Sequence, residues 1–177
     1  MSNNDMPAVD VATVTGLAVL AVTLVIAVYR ELREGRIPNW VTLSGMAIGL
    51  ILGYLPGGIP LRSSIVGLLI GFGFLFIFYV FGGVGGGDVK LMGAAGALLG
   101  ADLIQSALFF TAFTGAIMAL LALIWSRNFR TGLEGMVKRF VLLRTSEPAS
   151  PAEQVSPVTV PYGVAIAVGC LVALYMR

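Results

Sequence analysis

Two acidic groups stand beside long apolar runs, where an acid is expensive. Asp88 follows Gly82-Gly83-Val84-Gly85-Gly86-Gly87 and precedes Val89-Lys90-Leu91-Met92. Glu31 lies in Arg30-Glu31-Leu32-Arg33-Glu34-Gly35-Arg36-Ile37-Pro38-Asn39-Trp40, just after an apolar run. Acids next to membrane-like segments need a partner or a task. A pair of carboxyl groups can do general acid and base work when one keeps a proton and the other is charged. The inventory narrows the alternatives. Histidine is absent, and the single Cys170 lies within an apolar run. A zinc site built from Cys or His is therefore excluded, as is a disulfide within the chain. No metal or cofactor is expected.

Each of these residues also has a plainer reading. Asp88 could be an ordinary helix cap after a glycine turn, placed at the positive end of the helix dipole. Glu31 and Glu34 could be a solvated cluster interleaved with arginines. Pro38 and Asn39 read as a stop and cap between two spans. Gly85, Gly86 and Gly87 cannot continue a helix stably, and they would also let a substrate backbone come close. Lys90 is two residues past Asp88, so on a helix it points elsewhere. It is expected to snorkel to lipid head groups, with tuning of the acids as a second role.

The elements that would hold these residues are helices in a membrane. Of 177 residues, 58% are hydrophobic and 11% charged, far from the balance of a water-soluble domain. Spans are predicted at about 9–29, 40–56, 63–82, 89–104, 105–125 and 158–176, near the ~20 residues that cross a bilayer. The start of the chain lacks a basic n-region and carries Asp5 and Asp10. The first apolar run is therefore read as a retained span, not a cleaved signal. The fourth span is short and rich in Gly and Ala, as befits a helix buried inside a bundle. Gly45, Gly49 and Gly53, Gly67 and Gly71, and Gly96 and Gly100 recur at four-residue spacing, which reads as close helix packing.

Charge gives the orientation. Arg30, Arg33, Arg36, Lys90, Arg127, Arg130, Lys138, Arg139 and Arg144 fall on one side of a six-span arrangement, and only Arg62 and Arg177 on the other. The positive-inside rule makes the first side cytoplasmic and puts both termini outside. A net charge of +2 does not indicate a nucleic-acid surface. Within the long connection 126–157, Leu133, Met136, Val137, Phe140 and Val141 share one helical face, with Arg130, Glu134, Lys138 and Arg139 between them. This predicts an amphipathic helix, lying on the cytoplasmic leaflet or packed on the bundle. The remainder, rich in Pro, Ser and Ala, reads as a linker. The expected fold is an all-α membrane bundle of about six helices, one domain over 1–177.

The pattern Arg36-Ile37-Pro38-Asn39 after the first span, Gly85-Gly86-Gly87-Asp88-Val89-Lys90-Leu91 after the third, and Val160-Pro161-Tyr162-Gly163 opening the last resembles the type IV prepilin peptidases. The likeness is greatest to the short form of Tad/Flp pilus systems, and it runs from about residue 20 to 175. These are membrane aspartic proteases of the GxGD type. The resemblance implies two catalytic acids. One is the aspartate of the glycine motif, Asp88. The other lies six residues before the Ile of Ile-Pro-Asn, at Glu31, where the family has Asp. The added methylene moves the carboxyl by ~1.5 Å on a fixed backbone, and a ~1 Å misplacement can cost on the order of 100-fold in rate.

The resemblance further implies cleavage of prepilin-like precursors at the cytoplasmic membrane edge, between a basic leader and an apolar helix. Long-form relatives carry an inserted cytoplasmic domain with paired cysteines and methylate the product. This sequence has no cysteine pair, so cleavage without methylation is expected. The implied partners are prepilin-like substrates and membrane lipids, without nucleic acid. Two other functions compete: a catalytically impaired member that binds prepilins or assembly proteins, suggested by Glu31, and a small transporter with Asp88 at a broken helix. The middles of the spans hold almost no ionisable residues, which argues against the transporter.

Overall fold

The computed structural model describes residues 11–125 and 161–176, and within them every regular element is a helix. The chain is a multi-pass, all-α membrane protein. Five elements follow one another: α1 (Val11–Glu34), α2 (Asn39–Tyr54), α3 (Leu61–Val80), α4 (Gly86–Trp125) and α5 (Tyr162–Tyr175). Three helical stretches, Val11–Glu34, Leu61–Val80 and Gly86–Ala122, are long and apolar enough to cross a membrane, and α2 and α5 are shorter apolar helices. Large apolar side chains such as Val25, Leu69, Phe109 and Phe113 are exposed on the outside of the bundle. Such a surface fits lipid and not water. The amphipathic helix and linker expected over 126–157 lie outside the described residues.

The break between the fourth and fifth expected spans is observed, but four to five residues earlier than expected. Helical structure is continuous by residue range through α4, yet Gly100 within it has φ 78° and ψ 176°. This positive φ is open to glycine and costly for other residues. The second half of α4 then starts afresh. Ser63 Oγ of α3 accepts a hydrogen bond from Ala101 N–H at 2.9 Å, satisfying a donor that the interrupted helix leaves free. Asp102 stands in the new first turn, where negative charge suits the dipole. Ile104, four residues after the break, returns to the level of Met92, since both flank Gly71 of α3. The two halves therefore run back alongside each other, and the described residues form six helical segments.

Residues 91–100 are buried without exception. This first half of α4 is the central post of the bundle. Its neighbours come close because both sides lack bulk. A Cβ on Gly67 would run into the Gly96 carbonyl, and one on Gly96 into the Gly67 carbonyl. Gly49 of α2 faces Ala97 in the same way, where an added Cβ would stand only 2.9 Å from the Ala97 Cβ. The glycines singled out for packing thus do pack, except Gly100, which makes the turn.

The segments sort their ends unambiguously. Thr13 Oγ1 donates to the Gly57 carbonyl at 3.3 Å, and Ile59 lies against Gly100. Residues near 13, 57 and 100 thus share one end. Ile37 lies against Gly87 and Gly163 at the other.

The packing predicts a sharp contrast between two glycines. Gly96→Ala must push α3 and α4 apart and should cost about 1–3 kcal/mol. Gly73→Ala, with nothing within 4 Å of its added methyl, should be neutral or gain up to about 1 kcal/mol from helix propensity. Thermal unfolding of the detergent-solubilised protein measures both. Equal melting temperatures for the two variants would contradict the central-post arrangement.

Candidate active site

Glu31 closes the inward stripe of α1. The buried positions Gly16, Leu20, Thr23, Leu24, Ala27 and Glu31 follow one another at helical spacing. Glu31 is therefore carried inward by the same periodicity that buries Ala27, and it is only 8% exposed. The helix runs on to Glu34, past the expected end at 29. It stops at Gly35, whose φ of 67° and N–H bond to the Glu31 carbonyl at 2.8 Å form a left-handed cap. Glu34 behaves differently from Glu31. It is exposed and ion-paired with Arg30 one turn back. Arg33 lies over the Tyr29 ring at 5.3 Å. The solvated-cluster reading thus describes Glu34 and fails for Glu31.

Asp88 sits in the first turn of α4, not at its cap. Its Oδ2 accepts from Gly85 N–H at 3.2 Å, while the Gly85 carbonyl accepts from Asp88 N–H at 3.1 Å. This is the reach-back half of a capping box, with the acid at the third helical position. The other oxygen, Oδ1, is buried and has no hydrogen-bond partner. Asp88 as a whole is 7% exposed. Capping therefore accounts for one carboxyl oxygen and leaves the second unused.

The two acids lie at the same end of the bundle, both buried. Three parts of the chain close around them. Ile37, from the α1–α2 connection, is buried, with its Cβ 3.0 Å from where a Gly87 Cβ would stand. The same side chain flanks Gly163. Gly163 N–H, in the first turn of α5, donates to Glu31 Oε2 at 2.9 Å. The ring of Tyr162 packs against Gly115 in the second half of α4. In the sequence Tyr162 and Gly163 stand out only as part of a motif. The signal for their role is their position directly after Pro161 at the start of a helix, where the first N–H groups are free to bind an acid.

Two supporting residues differ from expectation. Lys90 does not simply extend towards head groups. Its Nζ donates to Asn39 Oδ1 at 2.8 Å and ties the start of α4 to the start of α2. Asn39 is in turn the first helical residue and not the cap. Pro38 occupies the cap position with φ −66° and ψ 137°, and no side chain caps the helix there. Gly85 and Gly86 complete the turn before Asp88. Among the described residues no group of three or more His, Cys, Asp or Glu is arranged to hold a metal ion.

Comparison with known proteins bears on this arrangement. The profile of the type IV leader peptidase family matches residues 18–120, which include Glu31, Ile37 and Asp88. The chain belongs to the type IV leader peptidase family. Three prepilin leader peptidase/N-methyltransferases illustrate the relationship. That of Bacillus subtilis (strain 168) is 40% identical over 73 residues, 38% of this chain and 29% of the relative. That of Aeromonas salmonicida (strain A449) is 32% identical over 121 residues, 63% of this chain and 41% of the relative. That of Neisseria gonorrhoeae is 26% identical over 119 residues, 63% of this chain and 42% of the relative. The chain thus spans less than half the length of these relatives. No solved structure matches it.

Because the acids share one bundle end, they should share one face of the membrane. With Cys170 replaced by Ala, Glu34→Cys and Gly83→Cys are expected to react with an impermeant thiol reagent in inverted vesicles and not in intact spheroplasts. Tyr54→Cys and Asp102→Cys should show the reverse. Labelling of positions 34 and 83 from opposite faces would separate the acids.

Proposed function

We propose that this chain is a membrane-embedded aspartic endopeptidase. It removes the leader of prepilin-like precursors at the cytoplasmic edge of the bacterial or archaeal membrane. One observation carries the reading: Glu31 and Asp88, from separate helices, are both buried at one end of the bundle, where Ile37 packs between Gly87, next to Asp88, and Gly163, which binds Glu31. Family membership and the names of the relatives support the substrate class.

The chemistry follows from two carboxyls in one shielded place. Both cannot readily ionise together, so the pair holds one proton between them. The charged member takes a proton from a water, and that water attacks the scissile carbonyl. The protonated member hydrogen-bonds to the developing oxyanion and passes its proton to the amine as the C–N bond breaks, leaving the pair again with one proton. The pair acts as a unit. No covalent intermediate forms with the chain. Gly85, Gly86 and Gly87 present little side chain beside Asp88, which suits an extended substrate backbone passing close by. A scissile bond at the junction of a basic leader and an apolar helix would lie at this height if the arginine-rich end is cytoplasmic.

Co-expression with a prepilin-like substrate tests the proposal through leader removal on a gel. Asp88→Ala and Glu31→Gln should each lower the cleavage rate by about 10²–10⁴-fold while the protein still accumulates in the membrane. Cleavage that survives both substitutions would rule out the paired-acid mechanism. Absence of cleavage by the parent chain would favour a prepilin-binding member of the family.

A further inference from the structure

The first turn of α5 holds the carboxyl at position 31. Gly163 N–H binds Glu31 Oε2 at 2.9 Å, and a Cβ on residue 163 would fall on that same oxygen. The other side is closed as well, because Ile37 Cδ1 lies 3.5 Å from the same Cβ position. One residue therefore both holds the carboxyl and leaves it room. Glu31 is buried, so bulk water does not readily replace a lost bond. An aspartate at 31 would withdraw its carboxyl by ~1.5 Å and stretch the bond to Gly163 beyond hydrogen-bonding range.

We infer that Gly163 is a positioning residue for Glu31: its N–H and its missing side chain fix where the carboxyl points beside Asp88. The inference rests on the peptidase reading for its catalytic consequence, but the contact itself does not. Tyr162, one residue earlier, is clamped against Gly115, which keeps the start of α5 from drifting away from α1.

Steady-state cleavage of a prepilin-like substrate by the purified chain tests this, using the parent, Gly163→Ala, Glu31→Asp and the double variant. Gly163→Ala should lower kcat on the order of 100-fold with KM within about twofold, since the substrate-facing surface is untouched. Glu31→Asp should lower kcat by at least about tenfold. The double variant should be no slower than the slower single variant, because the shorter acid vacates the space the new methyl needs. Its melting temperature should recover what Gly163→Ala alone loses. A Gly163→Ala enzyme with parental kcat, a faster Glu31→Asp enzyme, or losses that multiply in the double variant would overturn the inference. If the parent chain does not cleave, the peptidase reading fails. The melting temperatures still decide the contact, since a Gly163→Ala loss that Glu31→Asp does not recover contradicts it.

Discussion

A helix buried on all sides in a membrane bundle must be thin, and that constraint governs this protein. Residues 91–100 form such a post, and six of the ten are glycine or alanine. The close approach of α3 through Gly67, and of α2 through Gly49, leaves no room for larger side chains. Without a strong hydrophobic drive between helices in lipid, this close packing is what holds the bundle together. It also means that the post cannot shift along its axis without many contacts failing together. An acid mounted at its end is therefore held by the whole bundle.

The break at Gly100 serves the same end. Because the chain reverses there, α3, the post and the second half of α4 lie side by side. The second half then meets α5 through Tyr162 on Gly115, and through Gly169 against Thr111. The return path brings the start of α5 to the end of the bundle that carries Asp88. Glu31 arrives from α1 by helical periodicity, and Ile37 fills the space between Gly87 and Gly163. Four separate stretches of sequence converge because one glycine turns the chain and several others let it pack.

The sequence makes much of this legible, for reasons that lie in particular residues. Apolar runs and the excess of Lys and Arg on one side expose the spans, since the cost of burying charge in lipid leaves a strong compositional trace. The Gly and Ala content of the post predicts its burial. The position of the break is less visible: Gly100 resembles a packing glycine at four-residue spacing from Gly96, and only its φ reveals the turn. Glu31 looks solvated among arginines because its burial depends on a stripe that begins at Gly16, well upstream. Asn39 looks like a cap but binds Lys90, a partner 51 residues away that no local pattern announces.

Asp88 shows why a structural and a chemical role need not compete for one carboxyl. Its Oδ2 is engaged by Gly85 N–H, which orients the group and steadies the first turn of α4. Its Oδ1 is buried and unpartnered, an arrangement that costs stability in a folded protein. Glu31 is held at Oε2 by the Gly163 amide. Backbone N–H groups at two helix starts thus orient two carboxyls. A purely structural acid would be expected to satisfy both oxygens once buried. The unsatisfied Oδ1 of Asp88, beside a second buried acid and a glycine turn, is therefore not explained by capping alone.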